Sequence, residues 1–205
     1  MEKIKAKLYY TFGSVYIPNS LVKNRETKIL HISDTPTIFY PVLSKIIKKI
    51  RPKYIIHTGD LVDNVKLSLY PSKKEEYIKG VYTLLNILEN SPAQEIYISL
   101  GNHDDKEIIS SIATKSFIIE KTQIIRIENI QFKISHYCQD IINSPAKYNL
   151  FGHDITLNNK VDNGIIYLNG IKSINIITPT SEQIFSLPYP LGTNDSRLGK
   201  FKMGI

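Results

Sequence analysis

Apolar residues in this chain come in short runs that stop abruptly on polar, chemically capable side chains. Lys28-Ile29-Leu30-His31-Ile32-Ser33-Asp34, Tyr54-Ile55-Ile56-His57-Thr58-Gly59-Asp60 and Glu95-Ile96-Tyr97-Ile98-Ser99-Leu100-Gly101-Asn102 all have this form. Short apolar runs closed by turn residues predict buried strands. Between the first two runs, Val42, Leu43, Ile46, Ile47 and Ile50 recur on one side of a helical wheel. They predict a helix with Thr35 as its N-cap and Pro36 in its first turn, ended by Arg51-Pro52. Residues 74 to about 89 predict a second helix with Tyr77, Val81, Leu84, Leu85 and Leu88 facing inward. Strands and helices alternating through short connections predict a largely parallel sheet. Ligands of such sheets gather beyond the carboxyl ends of the strands, where Asp34, Asp60 and Asn102 fall.

The rest of the chain follows other periods. Residues 3 to 18 alternate loosely and predict a strand or hairpin laid on the domain. Residues 106 to 115 predict a short helix. Ile124 to Ile127 and Ile130 to Ser135 predict a hairpin around Asn129, and residues 165 to 168 and 173 to 178 another across Asn169-Gly170. The second half is therefore expected to be richer in antiparallel strands. The fold class predicted is α/β, a two-sheet mixed β sandwich flanked by helices. The length suits one domain. It divides into an N-terminal extension packed on the core (1–27), the domain itself (28–185) and a Pro- and Gly-containing loop or tail (186–205).

Composition narrows the function classes. No stretch approaches eighteen apolar residues, so no membrane span is expected. The first residues lack the apolar core of a signal peptide, and a cytoplasmic protein is expected. Cys138 is the only cysteine, which excludes an intrachain disulfide and a zinc-thiolate cluster. The formal charge of +7 draws anions. It comes from a general excess of lysine with only four arginines and no basic stripe interleaved with aromatics, so nucleic acid is not the expected partner.

There are five histidines. His31 and His57 each lie three residues before a strand-end aspartate, so they face the other way along the strand and read as packing or supporting residues. Asp60, Asn102, His136 and His153 form a chemically coherent set. Two imidazoles with two oxygen donors suit manganese, iron, zinc or nickel. Singly, each also reads as a cap or turn residue; together they read as a metal site.

Five short motifs carry a resemblance. Ser33-Asp34-Thr35-Pro36, Gly59-Asp60-Leu61-Val62-Asp63, Gly101-Asn102-His103-Asp104, Ser135-His136 and Gly152-His153-Asp154-Ile155 stand in this order at strand ends. Over about residues 28 to 180 the chain resembles the calcineurin-like metallophosphoesterase superfamily. The resemblance implies two metals bridged by Asp60, the second held by Asp60, Asn102, His136 and His153. The first would take Asp34, Asp60 and two further histidines, but Pro36 and Ile155 occupy those positions and offer no side-chain donor. The implied cofactor is a divalent metal, manganese foremost, with iron, nickel, zinc or magnesium as alternatives. One site is expected to be tight and the other weak or absent, completed by water or by Asp154 or Asp63.

In such enzymes the metals polarise the phosphate and hold a nucleophilic hydroxide. His103 is then the expected general acid toward the leaving group, with Asp104 orienting it, or else capping the helix that follows. Asp34 would hold the attacking water or a weak first metal. The implied function is hydrolysis of small phosphate esters, with phosphodiesters favoured because no arginine cluster awaits a doubly charged phosphate. Two alternatives stay open: a binding or scaffold protein on the same fold, motivated by Pro36 and Ile155, and a nuclease. Lys66, Lys73, Arg197 and Lys200 are candidate phosphate contacts, each weighed against a plainer reading as a solvated surface charge. A homodimer is suggested only by its frequency in the resembled family.

Overall fold

The computed structural model describes residues 2–199. The three apolar runs become parallel strands β1 (Ile29–Ile32), β2 (Tyr54–His57) and β3 (Glu95–Ser99), each ending before its polar motif. A fourth parallel strand, β4 (Ser116–Ile119), joins at the edge beside β3. In the second half, β5 (Gln123–Ile127) and β6 (Ile130–Ile134) form the expected antiparallel hairpin. They lead into β7 (Tyr148–Phe151), β8 (Lys160–Asp162) and β9 (Ile165–Asn169), before β10 (Ile174–Thr178) and β11 (Gln183–Leu187). One sheet runs β11-β10-β1-β2-β3-β4 and the other β5-β6-β7-β9-β8. Both are mixed, and helices α1 (Glu2–Thr11), α2 (Asn19–Lys23), α3 (Tyr40–Ile50), α4 (Lys74–Glu89), α5 (Lys106–Ile112), α6 (Gln139–Ile142) and α7 (Thr193–Arg197) accompany them, as an α/β sandwich requires.

Alternation along β1 makes the two cores. Ile29, with Ile56 and Ile177, faces the second sheet and meets Ile127, Phe132, Ile134, Tyr148 and Leu150. Leu30 and Ile32 face the other way and pack with residues of α3 (Tyr40–Ile50) and α4 (Lys74–Glu89), among them Leu43, Ile46, Val81 and Leu84. These side chains are essentially without solvent exposure. Each contributes about 2 kcal/mol of burial, which holds the strand ends rigidly in place.

Several expectations are corrected. Residues 2–11 form helix α1 (Glu2–Thr11), not a strand: Ile4 and Leu8 sit four apart among good helix formers, a spacing of one helical face. The helix expected from Pro36 begins only at Tyr40, after a 3-10 turn over Thr37–Phe39. Thr35 does not cap it, because its buried hydroxyl bonds the Leu61 carbonyl (2.8 Å) and His57 Nε2 (3.0 Å). Asn64 Oδ1 accepts from the Thr37 amide instead. The helix expected at 106–115 stops at Ile112, as α5 (Lys106–Ile112), and Asp105, not Asp104, caps it. Asn169-Gly170 is no hairpin turn. There the chain crosses from β9 in one sheet to β10 in the other, and the Asn169 side chain donates to the Asp154 and Leu157 carbonyls. Beyond Ser186 the chain carries the end of β11 and a short helix, α7 (Thr193–Arg197), which returns Arg197 to the domain interior. Lys200 lies outside the described residues. Among the described residues, no helix is long and apolar enough to cross a membrane.

Candidate metal centre

The parallel strands deliver their polar motifs to one edge of the sandwich, where the backbone must turn sharply. Asp34 (φ 51°), Asp60 (φ 55°) and His153 (φ 65°) all adopt left-handed conformations there, which non-glycine residues take rarely and mostly at functional sites. Two glycines let the loops interlock. A Cβ on Gly101 would lie 2.3 Å from Asp60 Oδ1, and one on Gly152 would lie 1.9 Å from Ser33 Oγ and 2.5 Å from Asp34 Oδ2. The glycine before Asn102 and the glycine before His153 thus make room for the aspartates of other strands. Amide bonds from Asp34 to the Gly59 carbonyl (2.9 Å) and from Thr35 to the Asp60 carbonyl (3.0 Å) stitch the first two loops together.

Asp60, Asn102, His136 and His153 meet in this edge. His136 is buried, and its Nδ1–H donates to the Thr58 carbonyl at 2.6 Å. That bond assigns Nε2 as the atom with the available lone pair. Nε2 lies 3.2 Å from Asn102 Oδ1 and 3.5 Å from Asp60 Oδ2. Three acceptor atoms converge with no donor of their own between them, the situation a cation resolves. In the metal-free protein a proton takes that place. Burial opposes a charge on His136, but hydrogen bonding to Asp60 and its negative charge outweigh burial and raise the imidazole to about 9. Asp60 is correspondingly lowered: burial would raise it, and His136 reverses the direction. The His153 ring stands 5.1 Å from that of His136, and the ligand atoms of Asp60, His136 and His153 lie within 4.8 Å of one another. Tyr137 flanks His153 edge-on at 4.8 Å. The four residues therefore fit a divalent ion, by donor chemistry and by convergence.

The two histidines expected of a first metal site are missing, with Pro36 and Ile155 in their places. Asp34 is buried beside the centre, and its Oδ2 already accepts from Ser33 Oγ (2.5 Å) and the His153 amide (3.1 Å). Burial, then the charge of Asp60, pushes Asp34 upward. Pro36 opens the 3-10 turn, and Ile155 lines a cavity of about 120 Å³ together with Asp34, Asp60, Asp63 and Lys66. Asp154, a candidate to complete that site, turns away to accept from the amide and hydroxyl of Thr156. Asp63 does reach the centre: its carboxylate, that of Asp60 and the His103 ring have ligand atoms within 4.8 Å of one another. Burial and Asp34 raise Asp63 to about 7.

His103 is half-buried above Asp60, to whose Oδ1 its amide donates at 2.9 Å. Asp104 does not orient the His103 ring, contrary to expectation. Its carboxylate accepts four bonds, from the amides of Asp60 (2.7 Å), Leu61 (2.9 Å) and Gly101 (2.9 Å) and from the Tyr77 hydroxyl (3.0 Å). Asp104 thus fixes the Asp60 loop. The residue that holds His103 is Ser68, 2.5 Å from Nδ1, which no local sequence signal distinguishes. His31 and His57 are fully buried supports, bonded to Thr58 and Thr35, and burial lowers both to about 3. Arg197 is no surface charge. It is buried over the Tyr189 ring and donates to the carbonyls of Asp34 (2.6 Å), Ile171 (2.8 Å) and Ser33 (3.2 Å). Lys73 is exposed and pairs at 3.8 Å with Glu76. Cys138 is a free, half-buried thiol whose ionisation burial disfavours.

The family model described as calcineurin-like phosphoesterase matches residues 27–197, and this span contains every strand and the whole candidate centre. The chain belongs to that family. It is an atypical member with a partial metal-binding site, in which clustered Asp and His side chains could hold a divalent ion. No curated protein matches the chain by sequence. Among solved structures, it is similar to an archaeal phosphodiesterase at 18% identity and a TM-score of 0.55, over 78% of this chain and 98% of that one. It is also similar to Yfce, a phosphoesterase from E. coli, at 13% identity and a TM-score of 0.54, over 80% and 99% of the two chains. At these identities the likeness is one of fold.

Proposed function

We propose that the protein is a metal-dependent phosphoesterase acting on small phosphodiesters, with one tightly held divalent ion. The observation that carries this reading is the convergence of His136 Nε2, Asp60 Oδ2 and Asn102 Oδ1, with His153 beside them. Manganese suits this mixed nitrogen and oxygen set; iron, nickel, zinc and magnesium are the alternatives. A bound ion would supply Lewis-acid polarisation of a phosphoryl oxygen and make water more acidic.

The chain's own residues supply the rest. His103 stands at the rim with Nδ1 held by Ser68, which leaves Nε2 to deliver a proton to the departing alkoxide. Burial lowers His103 below its ordinary value, so its protonated, donating form is favoured on the acid side of neutrality, and the negative charge of a bound phosphate would favour it further. Asp34, buried and shifted upward, is suited to hold a water and take its proton. Asp104 keeps Asp60 and Gly101 in register. A preference for diesters follows from Arg197, the arginine in the cavity lining, whose guanidinium is directed at main-chain carbonyls and so is not presented to a doubly charged phosphate.

The test is hydrolysis of a chromogenic phosphodiester and its monoester counterpart by metal-stripped protein reloaded with manganese. Metal-dependent turnover with the diester preferred supports the reading. Pro36 and Ile155 favour a second reading, a binding or scaffold protein on this fold. Absence of turnover of either ester in protein that has taken up manganese would favour that one.

A further inference from the structure

The cavity beside the metal position has three buried carboxylates, Asp34, Asp60 and Asp63, and lacks the two histidines that would let a first ion balance them. Without compensation it would repel a phosphate ester. Two cations share the lining: Arg197, whose guanidinium N–H groups are taken up by main-chain carbonyls, and Lys66, whose ammonium is not. Lys66 Nζ sits 2.5 Å from Asp63 Oδ1, on a side chain with 26% exposure. Its backbone is left-handed (φ 50°), a conformation lysine seldom takes, and the Leu69 and Tyr70 amides bond its carbonyl from below. From this turn the side chain reaches back to Asp63, and both residues line the cavity. Among the described residues its one hydrogen-bond partner is Asp63, and an ammonium carries three donors.

Resting on the function proposed above, we infer that Lys66 takes the charge role of the absent first metal: one ion and one lysine, not two ions, clamp the anionic oxygens of the phosphate. A lysine brings a fixed single charge, which matches a singly charged phosphodiester. It needs no ligand from position 36 or 155, which is why Pro36 and Ile155 are tolerated. Asp63 acts as the tether that holds the ammonium in place.

Inorganic phosphate serves as the probe, titrated calorimetrically into protein loaded with one equivalent of manganese. Lys66→Met is expected to weaken phosphate binding by about tenfold or more, the loss of one charge-assisted contact, while Lys66→Arg retains most of it. Charge dependence separates this role from a merely structural one: Lys66→Arg keeps the cation, Lys66→Met removes it, and both variants are expected to take up manganese as the wild type does. Equal affinity in Lys66→Met and the wild type overturns the inference, and so does an equal loss in Lys66→Met and Lys66→Arg. If the wild type takes up manganese and binds no phosphate, the lysine clamp fails while the metal site stands. Failure to take up manganese removes the functional reading first.

Discussion

The Nδ1 of His136 donates to the main-chain carbonyl of Thr58 at 2.6 Å, and this one bond decides which nitrogen faces Asp60 and Asn102. The metal-free imidazole, raised to about 9, carries a second proton at neutral pH. A metal must displace it. Manganese uptake at pH 7.5 is therefore expected to release about one proton per ion, read by calorimetry in buffers of differing ionisation enthalpy. Affinity should rise with pH up to about 9 and level off beyond. Uptake without proton release would place the ion elsewhere.

Arg197 joins the end of the chain to the Asp34 turn. Truncating it orphans the buried carbonyls of Asp34 and Ile171, leaves that of Ser33 only a long bond from the Tyr189 hydroxyl (3.4 Å), and removes the cation over Tyr189. Arg197→Ala is expected to cost about 3 kcal/mol, seen as a lower denaturant midpoint. Arg197→Lys should recover only part of it, since a point charge cannot reach three carbonyls in a fork. An unchanged midpoint in Arg197→Ala would show that the carbonyls find other donors.

His31 and His57 are neutral in the folded protein, lowered to about 3, and take up protons on unfolding below about 6.5. The unfolded state then binds more protons, so their contribution is fully present above about pH 6.5 and is lost as pH falls toward 3. At pH 5 each should cost the metal-free protein about 2 kcal/mol relative to neutral pH. His57→Gln should flatten the acid limb of a stability-against-pH curve. An acid limb of the same slope in that variant would assign the loss to other groups.

His103→Ala should lower kcat for an unactivated phosphodiester by about a hundredfold or more and leave manganese affinity within about threefold of the wild type. A leaving group acidic enough to depart unaided should show a much smaller effect. Equal losses on both substrates would mean that His103 acts through the structure of the Asp60 loop.

The strands that build the centre were legible because each ends an apolar run on a polar motif, and burial on both faces leaves little ambiguity in Ile29-Leu30-His31-Ile32 or Tyr54-Ile55-Ile56-His57. That Asp60, Asn102, His136 and His153 come together at one edge was legible for the same reason. The expected role of Asp104 in orienting His103 did not hold, because the motif gives adjacency along the chain and says nothing of where the carboxylate turns. Ser68 and Arg197 make contacts 35 and more than 160 residues away in sequence, and neither sits in a patterned segment. Thr35 misled because a residue fit to cap a helix is equally fit to bond a buried histidine. The first helix was misread because Ile4 and Leu8 satisfy both a loose alternation and a helical face.

The most direct test of the single tight centre is a manganese titration of metal-stripped wild-type protein, followed by calorimetry. The account predicts one high-affinity ion per chain, abolished by His136→Ala and weakened strongly by His153→Ala. Two ions of comparable affinity would contradict it, and so would one ion whose binding survives both substitutions.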